Sequence, residues 1–536
     1  MSDKFELVDS DGVGFTEDPL ALVPGTKPPK PRPRLRAALA TVSRIFGYRI
    51  EGTALGWVSV GAGAAFAGLM LMRLFYGGAI GLSDQGDGQR LTCGMGLRAG
   101  NPYNTPVDDL VYTTYFDHRW YGEDCPWNTY GQAYNSSQLY LLQLAEWLTP
   151  LLRLPGVMDL RALGVLCAVV LGLLAGLLFA WTPGSLVGKA FVVSGVWLVV
   201  ADASFAGYFV SPYSDTGAIL GVLALMVASL AMWRAQRVHW WHVAAIGLIA
   251  LFTATTKTQA VTFAVVAAGL MLCRRVGDPA SLGQYPLQGR WFGIGAVGAL
   301  LASVGQYLRT QPARFAELNQ YNAVFVEMLP HSPHPDQDLA RLGLDPSLVS
   351  GVGSRINSPN SVTELPGYQG FLDKTSMWDL LSQVYLHEPT RLLSMMGRGL
   401  VGMSKLRADY IYSYPWYSGR PDTQEWRVSV FYHFWRMMFG ALPLLIVALT
   451  LVACVLFIAV LRVCPDQQDK SIGATGLFLA VAAIAQFWAV NLSDGASDLI
   501  KHLMLTNLTV GLVLVLGVYS TVVLRSSVIR ERGVPK

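Results

Sequence analysis

The chain has 536 residues, 52% of them hydrophobic and 14% charged, with a mean hydropathy of +0.38 and a formal net charge of +4. A composition this apolar excludes a soluble domain of that length and points to a membrane protein with several spans. Its basic residues lie in short clusters beside apolar runs, which membrane topology explains and nucleic-acid binding does not.

Residues 1–50 are polar, and the first apolar run after them is long and lacks a small-residue cleavage site, so no secretory signal peptide is expected. Lys27, Lys30, Arg32, Arg34 and Arg36 alternate with prolines, the pattern of a disordered basic tail near anionic lipid. Each membrane-spanning helix needs roughly 20 apolar residues, and about ten such runs follow. They fall at 53–80, 161–182, 190–210, 216–233, 241–256, 259–273, 291–307, 438–461, 472–491 and 502–524. The expected fold is an all-α polytopic membrane protein with large extracytoplasmic loops. The fifth and sixth runs, split by Thr255 to Gln259, read either as two short spans or as a re-entrant hairpin.

Arginine and lysine in short loops set the orientation. Lys189, Arg234, Arg237, Arg274, Arg275, Arg462, Lys470 and Arg525 all fall on one side, which makes that side and both termini cytoplasmic. Organisation then follows as a tail at 1–50, seven spans over 51–307 with a first outer loop at 81–160, an outer insertion at 308–429, and three spans over 430–536. Cys93 and Cys125 are the two of six cysteines that land in outer loops, where an oxidising compartment lets them pair.

Two carboxylates, Asp84 and Asp87, stand where the first span emerges, in the stretch LSDQGDGQR. Such acids can remove a proton from an acceptor hydroxyl and orient it, with Arg90 fixing one of them by a charge-assisted bond. An acidic loop that merely solvates a helix end is the plainer alternative. The first outer loop is also rich in Tyr and Trp, as an interfacial aromatic belt or a sugar-stacking surface would be. Asn135 to Pro150 reads as a surface helix that buries Leu139, Leu142, Leu144 and Leu148 while Gln138, Gln143 and Glu146 stay wet.

Asp202 falls inside the third run, a costly place for an acid, and reads either as a functional-site candidate or as a group hydrogen-bonded to a neighbouring helix. Asp215, in SPYSDTG, should join Asp84 and Asp87 on the outer side or cap the fourth span. Lys257 in TTKTQ, and Lys501 with His502 beside Asp494 and Asp498, are cations suited to a departing phosphate, or else snorkelling side chains at helix ends. Arg73 and Arg309 are most simply snorkelling residues. In the outer insertion, 376–398 reads as largely helical with a kink or break at Pro389, suited either to cap the bundle or to close over a substrate groove. His331, His334 and His387 have no zinc-like spacing.

Acids directly after the first span, another after the third, and a site at the outer face together resemble the GT-C superfamily of integral-membrane glycosyltransferases. More narrowly, NAVFVEMLPHSPHPDQDLARLGLDP, YLHEPTRLL and SDGASDLIKHLMLTN resemble bacterial WsfD-like glycan hexose transferases. The resemblance implies an inverting enzyme in the bacterial cytoplasmic membrane. Its donor would be a polyprenyl-phosphate sugar and its acceptor a cell-envelope glycan, lipid or protein. It implies Asp87 as base, Asp84 as its helper, Asp215 as the second acidic position, and Lys257, Lys501 and His502 near the lipid phosphate. No cofactor is required, although a divalent cation is compatible. The rival expectations are a transporter or flippase for a lipid-linked sugar and a non-catalytic scaffold; a carrier would show paired broken helices in two related halves, and only one such pair, at Thr255 to Gln259, is visible.

Overall fold

The structure is a computed structural model that describes residues 53–83, 87–99, 114–119, 134–274, 276–277, 287–414, 423–493 and 495–531. Asp84, Asp494, Cys125 and the basic tail therefore lie outside the described residues. Helix α1 (Thr53–Phe75) leads to α2 (Asp87–Gly94) and then to a small antiparallel sheet of β1 (Leu97–Ala99), β2 (Tyr115–Arg119) and β3 (Met158–Asp159). Helix α3 (Gln138–Leu151) is inserted before β3, and α4 (Leu160–Trp181), α5 (Leu186–Val200) and α6 (Asp215–Arg234) follow. Next come α7 (Trp240–Ala254), α8 (Val261–Cys273), α9 (Leu287–Arg309) and α10 (Ala313–Tyr321). The chain returns to the bundle through α11 (Pro389–Lys405), α12 (Val430–Phe439), α13 (Leu444–Val463), α14 (Gln467–Ser493), α15 (Leu499–His502) and α16 (Met504–Glu531).

Each of the ten predicted runs overlies one apolar helix, and seven of these are long and apolar enough to cross a membrane. Helices α5, α7 and α8 are shorter. The third run is corrected most: its helix stops at Val200, and residues 201–214 fold as a buried bend with a 3-10 turn at Ala206–Val210. Asp202 belongs to that bend and not to a span. Its carboxylate accepts from the Ser204 amide (3.0 Å), the Ser204 hydroxyl (2.9 Å) and the Tyr432 amide (3.0 Å), so hydrogen bonds offset its burial.

Helix α6 is apolar around its whole circumference and is buried almost throughout, which makes it the axis of the bundle. At the edge, α1 leans on α4 through small residues spaced by four. A Cβ on Gly63 would lie 2.6 Å from the Gly172 carbonyl oxygen, and one on Gly172 would lie 2.7 Å from Ala67 Cβ. Backbones this close require small residues, the usual packing solution where lipid removes the hydrophobic drive between helices. Arg73, expected to snorkel, instead turns inward: it donates to the Ala201 carbonyl at 2.7 Å and pairs with buried Glu425.

The surface-helix reading of α3 is also corrected. Gln138 and Glu146 are buried, whereas Leu144 is exposed. Tertiary partners explain this: Gln138 accepts from the Gly217 amide at 2.9 Å, and Glu146 pairs with Arg119 and accepts from Gln143 at 2.7 Å. Past α9 the chain builds a second, smaller apolar core around Tyr321, Phe325, Leu339, Val384 and Met395. In this unit Pro389 starts α11 at a position where its missing N–H costs nothing, and the preceding turn ends at Tyr385.

Gly172→Leu should destabilise the detergent-solubilised protein by about 1–3 kcal/mol, because the seam has no room to absorb a side chain. Gly269→Leu, at a helical glycine with open space around it, is the control. Equal unfolding midpoints for the two variants would remove the seam from the account.

Candidate functional site

The site is assembled from broken helix ends. Helix α7 stops at Ala254, and Lys257 extends before a 3-10 turn at Thr258–Ala260 leads into α8. Residues 136–138, at the start of α3, hold that break in place. The Ser137 amide donates to the Thr255 carbonyl (3.0 Å), and the Ser137 and Ser136 hydroxyls donate to the Phe252 (2.6 Å) and Thr256 (2.5 Å) carbonyls. These bonds satisfy carbonyls that the end of a helix leaves open. Gln138 meanwhile caps the first turn of α6 through Gly217, which fixes Asp215 at the helix start. Lys257 Nζ consequently meets Asp215 Oδ1 at 3.1 Å.

A second acid–lysine pair lies beside the first. Asp87 opens α2, and its carboxylate meets Lys501 Nζ of α15 at 2.5 Å and Arg90 at 3.1 Å. Lys501 keeps 3% of its side-chain surface open and Asp87 keeps 27%, so the pair is reached from the acid's side. The ring of Tyr213 supports the ammonium from 5.5 Å, and its hydroxyl donates to the Ser83 carbonyl at 2.8 Å. Burial opposes ionisation of Asp87, but Lys501, then Arg90 and Lys257, outweigh it and hold the carboxyl well below the usual carboxylate range. For Lys501, burial again opposes the charge, yet Asp87 foremost, with Asp498 and Asp215 beyond, raises the ammonium above its ordinary value.

Both pairs border a cavity of about 450 Å³. Of the residues singled out in the sequence, Asp87, Arg90, Lys257, Lys501 and His502 line it directly, and Asp215 reaches it through Lys257. His502 Nδ1 lies 3.0 Å from Gln259 Oε1, which joins α15 to the break after α7. Cys93 is disulfide-bonded, while Cys167, Cys273, Cys454 and Cys464 take part in no disulfide; the predicted partner Cys125 is not among the described residues.

Sequence reasoning allowed for a cap over the bundle but named none of the residues that form it. Phe315 and Asn319 of α10, Asn322 just beyond it, and Arg355 and Asn357 close the cavity from the segment that follows α9. The i, i+3 pair Asn319 and Asn322 was the available signal, a polar face on a helix whose other face enters the second core. Asp498 also lines the cavity, from a backbone held in the left-handed region at φ 47°. It is brought there by Gly495 (φ 58°), where a Cβ would come within 2.3 Å of Glu327 Cβ. Counting Asp215, four cations (Arg90, Lys257, Arg355 and Lys501) face three carboxylates, so the chamber suits an anion of one or two charges. Among the described residues no group of three or more His, Cys, Asp or Glu is arranged to hold a metal ion.

Because Asp87 titrates below its unfolded value of 3.8, its stabilisation is present above that pH and is lost as pH falls through the lower folded value. The contribution of Lys501 is present below 10.5 and is lost as pH rises through its raised folded value. The unfolding-temperature gap between wild type and Asp87→Asn should therefore be widest at neutral pH and close as pH falls below about 4. Asp87→Asn, which strands a buried lysine, should cost about 3–5 kcal/mol, whereas Lys501→Met, which leaves Asp87 with Arg90, should cost less. A pH-independent gap, or the reverse order of cost, would contradict this account of the pair.

No curated protein and no solved structure matches the chain. Residues 55–534 match the family model described as the YfdI N-terminal transmembrane domain, and the chain belongs to that family of membrane proteins.

Proposed function

We propose that the protein is a hexosyltransferase that uses a polyprenyl-phosphate sugar at the outer face of a bacterial cytoplasmic membrane, with both termini cytoplasmic. The observation that carries this reading is the pairing of Asp87 with Lys501 and of Asp215 with Lys257 on one cavity at a single end of the bundle. The resemblance to GT-C and WsfD-like transferases supports the same reading.

In this mechanism the donor's phosphate enters among Arg90, Lys257 and Lys501. A phosphate competes with the carboxylates for these cations, so donor binding loosens Asp87 from Lys501. That exchange matters for catalysis, because a carboxylate clamped by two cations is a poor base and one released from them is a better one. The acceptor oxygen attacks the anomeric carbon as Asp87 takes the hydroxyl proton. The bond from that carbon to the phosphate oxygen breaks, and the electron pair leaves on the lipid phosphate. Lys257 and Lys501 stabilise this growing charge more than they stabilise the bound donor, which is the condition for catalysis. His502, set by Gln259, donates or accepts at the phosphate's edge. The sugar is carried by the lipid itself, so no nucleotide is needed.

The test uses purified protein in nanodiscs with polyprenyl-phosphate hexoses and a membrane glycan extract, and follows free polyprenyl phosphate. Wild type should release it. Asp87→Asn should lower the rate by about 10²–10⁴-fold per folded molecule, the usual scale for a lost general base. Lys257→Met should weaken donor binding as well as the rate. Saturable donor binding without release by wild type would instead favour a carrier for the lipid-linked sugar.

A further inference from the structure

Beside the main chamber lies a second cavity of about 310 Å³, bounded by α11 and by the turn that leads into α15. Arg355 and Asp498 line both cavities and form the wall between them. Arg398 and Lys405 of α11 add two more cations on the far side, while Val401 and Leu499 make one flank apolar. The cations differ in what they already hold. Arg398 is tied to Glu327 and donates to the Ser394 hydroxyl at 2.7 Å. Lys405 and Arg355 enter no ion pair among the described residues. Asp498 is the N-cap residue of α15, yet its side chain makes no capping hydrogen bond, so its carboxylate is not spent on the helix.

We propose that this second cavity binds the charged end of an acidic saccharide acceptor, one bearing a phosphate or a carboxylate, and presents its hydroxyl to the main chamber past Asp498. The proposal rests on the transferase reading and extends it by naming the acceptor's class and place. An arginine fork and an ammonium that enter no ion pair among the described residues match a phosphate or carboxylate and gain little from a neutral sugar. The volume is at the lower end of that of small-ligand sites, enough for a terminal residue and not for a long chain. The shared wall places the acceptor within one side chain of the chamber that holds the donor's phosphate. Arg398 and Lys405 line only the second cavity, so Arg355 is the one cation for which the two anions would compete.

The experiment uses the full chain in detergent and saturation-transfer NMR titrations with three probes: glucose 6-phosphate, glucuronate and neutral glucose. Polyprenyl phosphate binding is measured in parallel. The charged probes should bind and glucose should not. Lys405→Glu should weaken the charged probes by at least about tenfold, Lys405→Arg should restore them, and polyprenyl phosphate should bind both variants within about twofold of wild type. The stronger of the two charged probes identifies phosphate or carboxylate as the source of the charge. Glucose binding as tightly as the charged probes would overturn the proposal, as would probe binding unchanged in Lys405→Glu. So would one-for-one displacement of the probes by polyprenyl phosphate. Failure of wild type to bind polyprenyl phosphate, with Lys405-dependent probe binding intact, would overturn the transferase reading and leave the anion site standing.

Discussion

Two lysines sit inside an apolar bundle, and the rest of the structure follows from what they require. An unpaired ammonium in a low-dielectric interior costs several kcal/mol, so each must meet a carboxylate at contact distance. Asp215 and Asp87 supply these, but neither is a sequence neighbour of its lysine. Bringing them together forces α7 to stop early, α6 to begin at Asp215, and the chain before α16 to form a single helical turn. It also commits residues 136–138 to holding the open ends. The pairs add little net stability when complete and cost much when broken.

The unit that follows α9 complements this arrangement. Its separate core around Tyr321 and Phe325 makes it a rigid roof whose polar edge, not its apolar interior, faces the charges. Gly495 lets the loop before α15 press against Glu327, which in turn holds Arg398. One run of contacts therefore links the roof, the strained Asp498 backbone and Lys501. Bundle and roof are coupled at the place where their charges meet.

Much of this was legible in the sequence, and the division is physical. Ten apolar runs announced ten helices, because burying or spanning hydrocarbon demands continuous apolar length. Asp87, Lys257, Lys501 and His502 were visible because charge beside such runs is expensive. Helix ends were not legible. Asp202 reads as an intramembrane acid until the bend after Val200 and the Tyr432 amide are known. Gln138 and Glu146 read as wet because their partners, Gly217 and Arg119, lie far along the chain or in another element. The pairing of Asp215 with Lys257 across 42 residues is a tertiary fact, as is the arrival of Arg355 in the roof. Arg73 was misread for the same reason, since its partner Glu425 is 352 residues away.

The shortness of α7 has a bearing on the lipid around it. With 15 residues, it extends roughly 22 Å, against a hydrocarbon slab of about 30 Å. If Trp240 and Trp241 sit at the headgroup level, Lys257 lies below the opposite headgroups, at the bottom of a polar recess. A bilayer meets such a recess by thinning or by admitting water, at a cost that rises with each ångström of mismatch. Membrane thickness thus becomes a variable of the site itself: a thicker leaflet sinks the lysines further from the phosphate plane, and a thinner one brings the two level.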